Sequence, residues 1–262
     1  MNTRRASTLY YRTAETFALW IGLILLWQLL TSLFHAFFFP TPLEIAKELG
    51  RNWLSITALQ HNALPSLFRI ISGWGLASVF GIMLGVAIGL VRGLDAYFEP
   101  IIHFGRAISP PAALPIFLIL FGIGDSMKIL FIAFGVIWPI LLNTVKGVQS
   151  IDSTQLNSAR VYGIRGIRHL FYVILPAASP EIFAGLRISL ALAFIMMVIS
   201  EMISASGGIG YMILQSQANF DILSMWAGMV ILGIGGILFN SLFLALEAYF
   251  LRWQRGSAGI SA

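Results

Sequence analysis

The chain has 262 residues and a formal net charge of +5; only 10% of its residues are charged, 58% are hydrophobic, and its mean hydropathy is +0.86. An ordinary soluble domain carries roughly 25% charged residues, so the composition excludes a water-soluble fold and predicts an all-α protein with several membrane spans. The basic excess is confined to short segments between apolar runs, which argues against nucleic acid as a partner, and the absence of cysteine removes disulfides, thiolate nucleophiles and Cys-based metal sites.

Six spans are predicted within one transmembrane domain over 1–262, at about 17–39, 66–91, 101–121, 128–146, 178–203 and 225–251. The first, Phe17–Phe39, is longer than the roughly 7–15 residues of a signal-peptide core. It ends in Phe37-Phe38-Phe39-Pro40 rather than a small-residue cleavage site, so it reads as a retained span. In the following 40–65 segment, EIAKELGRNWLSI has the composition of a short surface helix. The second span carries Gly81, Gly85 and Gly89 at four-residue spacing, which lines one helix face with small residues and lets a neighbour approach closely. Pro110, Pro111 and Pro115 interrupt the third span, and Pro139 lies inside the fourth. Interrupted spans often flank a transport pathway.

The fifth span holds Glu181 and Arg187 near one end and Glu201 near the other. Segment 204–224 contains no Lys or Arg and reads as an outer segment. Trp226 and Trp253 bracket the last span as interfacial anchors do. With an even number of spans both termini share a side. Placing them inside puts Arg4, Arg5, Arg12, Arg92, Arg106, Lys146, Arg160, Arg165, Arg168, Arg252 and Arg255 on the inner face, and only Lys47, Arg51 and Lys128 outside. That bias predicts cytoplasmic termini and a cytoplasmic 147–177 loop.

The loop contains STQLNSARVYGIRGIRHLFYVILP, Ser153 to Pro176. Asp152 suits an N-cap, where its carboxylate accepts first-turn N–H groups and favours the positive end of the helix dipole. Gln155 at N3 completes an Asp-x-x-Gln capping box, and Ile151 with Leu156 forms the hydrophobic-staple pair. Gly163 supplies a left-handed stop. A helix over Ser153–Tyr162 follows, with Leu156, Ala159 and Gly163 on one side and Asn157, Ser158 and Val161 on others. It is about 15 Å long at 1.5 Å per residue, too short to span. Physics alone leaves two readings open: an amphipathic helix on the membrane surface, or a docking element for a cytoplasmic partner.

This stretch resembles the cytoplasmic loop of permease subunits of bacterial ABC importers, whose pattern is Glu-Ala-Ala, three residues, Gly, nine residues, Ile-x-Leu-Pro. The matching positions are Asn157-Ser158-Ala159, Gly163 and Val173-Ile174-Leu175-Pro176. Asn157 stands where the family has Glu, Ser158 replaces the first Ala and Val173 replaces Ile. Leu114–Val148, Pro180–Ile213 and FFPTPLEI are similar to the nitrate/sulfonate/taurine branch, so the likeness covers about 17–253. It implies a type I importer permease fold in the bacterial inner membrane, with a homodimer of permeases and two cytoplasmic ATPase subunits. It also implies a periplasmic or lipid-anchored solute-binding protein. The 153–163 helix would couple to the ATPase through Asp152, Gln155, Leu156, Asn157, Ser158, Ala159, Arg160, Tyr162 and Gly163. ATP and Mg would bind on that partner, and this chain would bind no cofactor.

The chain has no G-x-x-x-x-G-K-[ST] loop, and none of Lys47, Lys128 and Lys146 follows a glycine. His35, His61, His103 and His169 show no metal-ligand spacing. No catalytic residue is proposed and the chain is not expected to be an enzyme. Asn143, Ser200 and Glu201 are the candidate pathway residues. Each has a plainer reading: Asn143, Ser200 and Asn240 as helix–helix hydrogen bonds, and Glu201 as a carboxylate bonded to backbone of the 204–210 loop. The alternative function is an ion-coupled secondary transporter using Glu201.

Overall fold

The computed structural model describes residues 3–34, 37–53, 55–91, 93–204 and 206–252. His35, Arg92, Trp253 and Arg255 lie outside the described residues. Every regular element among the described residues is helical. The principal helices are α1 (Thr3–Phe34), α2 (Pro42–Glu48), α3 (Leu64–Leu90), α4 (Leu94–Ala107), α5 (Pro110–Phe121), α6 (Asp125–Gln149), α7 (Ser153–Val161), α8 (Leu175–Ser204), α9 (Ile209–Ala218) and α10 (Ile222–Phe250).

Four helical stretches are long and apolar enough to cross a membrane: Ile56–Leu90, Asp125–Gln149, Ile167–Ser204 and Ile222–Phe250. The pair α4 and α5 makes a fifth if it is one broken span, and Ala18–Phe34 within α1 is a shorter apolar segment. The predicted 101–121 span is thus two helices, bent by 93°. The break falls at Ile108 and Ser109, both extended. Proline disfavours helix at the residue before it, and Pro110 and Pro111 have no N–H to carry a helix across them, though they suit a helix start. Pro115 and Pro139, by contrast, sit inside helices that continue past them. Within the outer 204–224 segment, α9 occupies the middle.

The chain packs as two compact units, 1–60 with 212–231, and 61–211 with 232–262. In the first, Thr41 and Glu44 form a reciprocal capping box ahead of α2, with Pro42 in its first turn. The Thr41 N–H and then its hydroxyl hold the Glu44 carboxyl below the usual carboxylate range. Trp226 donates its indole N–H to the Phe38 carbonyl at 3.1 Å, and its ring lies 5.5 Å from Trp27. Trp53 is buried against Gly228.

In the second unit α6 is the central rod, with α3 and α8 packed along it. Phe131, Ile132, Val136 and Ile140 of α6 are fully buried, between Ile70 and Ala77 of α3 and Ala193 and Met197 of α8. The glycine stripe predicted on α3 faces α6. Cβ atoms at Gly73, Gly85 and Gly89 would fall 2.8, 2.6 and 2.8 Å from Ile132, Thr144 and Val148, and at Gly81 3.0 Å from Ile140. Every opposing residue is 59 positions further along the chain, so the two helices run parallel in one fixed register. Elsewhere α1 and α10 present exposed Leu25, Leu29, Ile237 and Leu238. Such a surface would aggregate in water and suits lipid.

Candidate functional site

Helix α7 spans Ser153–Val161, with Asp152 as N-cap and Tyr162 as C-cap. The Asp152 carboxylate accepts from the Thr154 N–H at 2.8 Å, and this bond holds the carboxyl below its ordinary range. The expected capping box is not formed. The short Asp side chain reaches the second N–H of the helix, and Gln155 turns instead toward a groove of about 660 Å³. The stop follows the anticipated chemistry: Gly163 has φ +73, Ile164 N–H donates to the Ala159 carbonyl at 2.9 Å, and Gly163 N–H to the Arg160 carbonyl at 3.1 Å. Those two bonds are a Schellman motif.

Around α7, Ala159 is buried, Ile151 packs on the core and Leu156 is half-buried. Thr154, Ser158, Tyr162 and Tyr172 share the groove with Gln155. Val161 and Tyr162 are 85% and 82% exposed. Asn157 accepts weakly from Arg160 Nη1 at 3.4 Å. The result is a rigidly terminated surface helix that presents an apolar pair and a tyrosine-lined groove.

A second polar site lies at the other end of the same bundle. Glu201 is fully buried. Its Oε1 accepts from Ser66 Oγ at 2.7 Å and Arg69 Nη1 at 2.5 Å, and its Oε2 from the Gly210 N–H at 3.0 Å. Arg69 Nη1 also donates to the Gly207 carbonyl at 2.9 Å, and its Nε to Asp125 at 2.8 Å. Lys128 Nζ lies 3.7 Å from Asp125. Ser66 Oγ accepts the Ile209 N–H at 3.0 Å, and Gly208 N–H reaches Asn62 at 3.3 Å. Gly208 has φ +123, and a Cβ there would fall 2.5 Å from the Glu201 carboxylate, so only glycine fits. The cluster ties α3, α6 and α8 to the backbone of 207–210.

The backbone bond expected for Glu201 is therefore present at Gly210, beside two partners that sequence reasoning missed, Ser66 and Arg69, with Asp125 and Lys128 joined to the cluster through Arg69. The available signal was Arg69, a lone cation in an apolar segment, which needs a nearby acid. Both Glu201 oxygens accept hydrogen bonds from within the protein. Ser200 is likewise buried, its hydroxyl donated to the Met197 carbonyl at 2.8 Å. Neither lines a described cavity, and the structure does not bring Asn143 to them. Asn143 gives one amide N–H to the Pro139 carbonyl at 2.8 Å and lines a separate cavity. Asn240 borders an apolar groove between α8 and α10. Among the described residues no three His, Asp or Glu side chains group as metal ligands do.

The family described as binding-protein-dependent transport system inner membrane component matches residues 77–256. The taurine transport system permease protein TauC of Escherichia coli is 33% identical over 87% of this chain and 85% of its own length. The bicarbonate transport system permease protein CmpB of Synechococcus elongatus is 32% identical over 88% of this chain and 87% of its own. A chain of the MetNI methionine ABC transporter, solved in inward-facing conformations, superposes with a TM-score of 0.65 at 19% identity. That match covers 72% of this chain and 94% of the other, and it supports the fold. Apolar helices of spanning length, an exposed capped helix between two of them, and these matches together place the chain in the binding-protein-dependent transport system inner membrane component family, as a multi-pass permease of an ABC importer with the type I fold.

Proposed function

We propose that this permease forms the pathway for a small solute bearing a sulfonate, carboxylate or bicarbonate group, and that α7 couples it to a separate ATPase. The solute class follows the relatives named for taurine and bicarbonate. The observation that carries the coupling is α7 itself: a helix fixed at both ends, between two spans, with Val161 and Tyr162 projecting from it. A well-terminated lever transmits displacement, whereas a floppy loop absorbs it.

In this reading two permeases pair, two ATPases bind the α7 faces in the cytoplasm, both termini lie on that side, and a binding protein delivers solute from the other. ATP draws the ATPases together, the α7 helices follow, and the paired permeases open outward. Hydrolysis resets them. ATP and Mg act on the partner, and this chain positions helices rather than making or breaking bonds.

The test is co-purification and solute uptake with Val161→Asp and Tyr162→Asp. Both sites are exposed, so the chain should fold as before, while ATPase association and uptake should each fall at least about tenfold, as for an interface anchor worth about 1.4 kcal/mol or more. Undiminished association and uptake would overturn the coupling role. Movement of solute by the purified chain alone, driven by a proton or sodium gradient, would overturn the energy source.

A further inference from the structure

Arg106 is grouped by its sequence neighbours with the inner loops, yet the structure places it at mid-depth of the second unit. Two contacts along α6 set that depth. Gln149 Nε2 donates to Asp95 Oδ2 at 3.0 Å. Gly105 abuts the Trp138 ring, where a Cβ would fall 2.2 Å from Cη2. Helix α4 therefore climbs beside α6 from Gln149 to Trp138. Trp138 lies about 20 Å from the Asp125 end of a helix about 37 Å long, at 1.5 Å per residue. Arg106 follows Gly105 and stands just before the break at Ile108 and Ser109.

The Arg106 side chain is exposed and makes no hydrogen bond or ion pair among the described residues. An arginine facing lipid at the centre of a span is strongly disfavoured, so such residues face water-filled or protein-lined space. A cavity of about 530 Å³ lies at the break, lined by Arg106, Trp138, Asn143, Pro110 and Pro111 with aliphatic walls, and no carboxylate borders it. The start of α5 offers it no free backbone donors: the two prolines have no N–H, and Ala112 and Ala113 donate theirs to the Ser109 carbonyl at 3.0 and 3.3 Å. The cavity thus carries one full positive charge, one amide and no negative charge.

Resting on the oxyanion reading above, we propose that Arg106 is a specificity-determining residue of the pathway: its guanidinium pairs in this cavity with the sulfonate, carboxylate or bicarbonate group of the passing solute. A planar guanidinium matches two oxygens of such a group at once, which a lysine does not.

The chain lacks cysteine, so an introduced thiol is its only reactive site. In the complete transporter in vesicles, Asn143→Cys is labelled with an anionic and a cationic methanethiosulfonate, with and without Arg106→Gln. The ratio of anionic to cationic labelling rates should fall about tenfold when Arg106 is removed, as expected for a unit charge a few ångströms away. Leu192→Cys, on the same cavity, repeats the measurement if Asn143→Cys does not assemble. An unchanged ratio, or no labelling at either position, overturns the proposal. In parallel, uptake of taurine and bicarbonate should drop at least tenfold in Arg106→Gln and by a smaller factor in Arg106→Lys, which keeps the charge but loses the two-oxygen fork, with binding-protein-stimulated ATP hydrolysis retained in both. Wild-type uptake of neither solute would sink the oxyanion reading, and the labelling ratio would still decide whether Arg106 sets the cavity potential. Normal uptake by Arg106→Gln would sink the role of Arg106 alone.

Discussion

The two polar ends of the second unit use similar residues to opposite effect. At the Glu201 end every charge has a partner, glycine is required where carboxylate and backbone meet, and Ser66, Arg69, Lys128 and Glu201 are buried while Asp125 reaches the surface. At the α7 end the polar side chains are exposed, their bonds are local, and Val161 and Tyr162 project outward. Leaving a charge unpaired in low-dielectric surroundings is costly, so a closed cluster holds helices together only while it stays complete. Short-range caps fix a helix without reference to the rest of the bundle and leave its outer face for another molecule. The difference marks one end as a clasp and the other as a handle.

The strongest way to break this contrast is to open the clasp. Arg69→Met strands the buried Glu201 carboxylate and should cost about 3–5 kcal/mol, measured by denaturant unfolding in detergent. Glu201→Gln should cost less, because Arg69 keeps its bonds to Asp125 and Gly207. The double variant should lose less than the sum of the two. Additive losses would mean that the two groups stabilise the fold independently. Next in size, Gly208→Ala should cost about 2 kcal/mol through its positive φ and its crowding of Glu201. Unchanged stability would show that 207–210 yields easily and is not clasped.

The smallest expected effect is at the handle. The Asp152 carboxyl is held below its usual value, chiefly by the Thr154 N–H, so its cap persists above the unfolded pKa of about 3.9 and is lost as pH falls through the lower folded value. Thr154 amide protection in the full chain should survive at pH about 4 and fade below it, with the core of the second unit unaffected. Protection already lost above pH about 5 would show that Asp152 does not control the end of the helix.

Local chemistry made α7 legible in the sequence. Asp152, Gly163 and the apolar Ala159 act over a few residues, so their spacing carries the information, and only the partner of the cap differed. Hydropathy likewise located the long helices. The clasp was not legible, because Arg69 and Glu201 lie far apart in the chain and meet only after α3 and α8 pack on α6. Arg106 was misplaced for a related reason. The charge bias places Arg106 on the inner face although it falls within the 101–121 span, whereas α4 carries its last turn to the level of Trp138 before Pro110 breaks the path. The Thr41-Pro42-x-Glu44 start of α2 is also a local signal, a capping box with proline in the first turn just ahead of the stretch expected to form a surface helix.

The seating of α3 against α6 has a mechanical consequence. Four glycines receive four side chains at one constant offset, like a toothed rail in its rack. A partial slide would drive helix backbone into Ile132, Ile140, Thr144 and Val148 together. Whatever travel a transport cycle demands, this pair must carry it as a single bar, or shift by one whole tooth of about 6 Å at 1.5 Å per residue. Pliancy has to be found where the teeth are missing, and the bend between Ala107 and Pro110 is such a place.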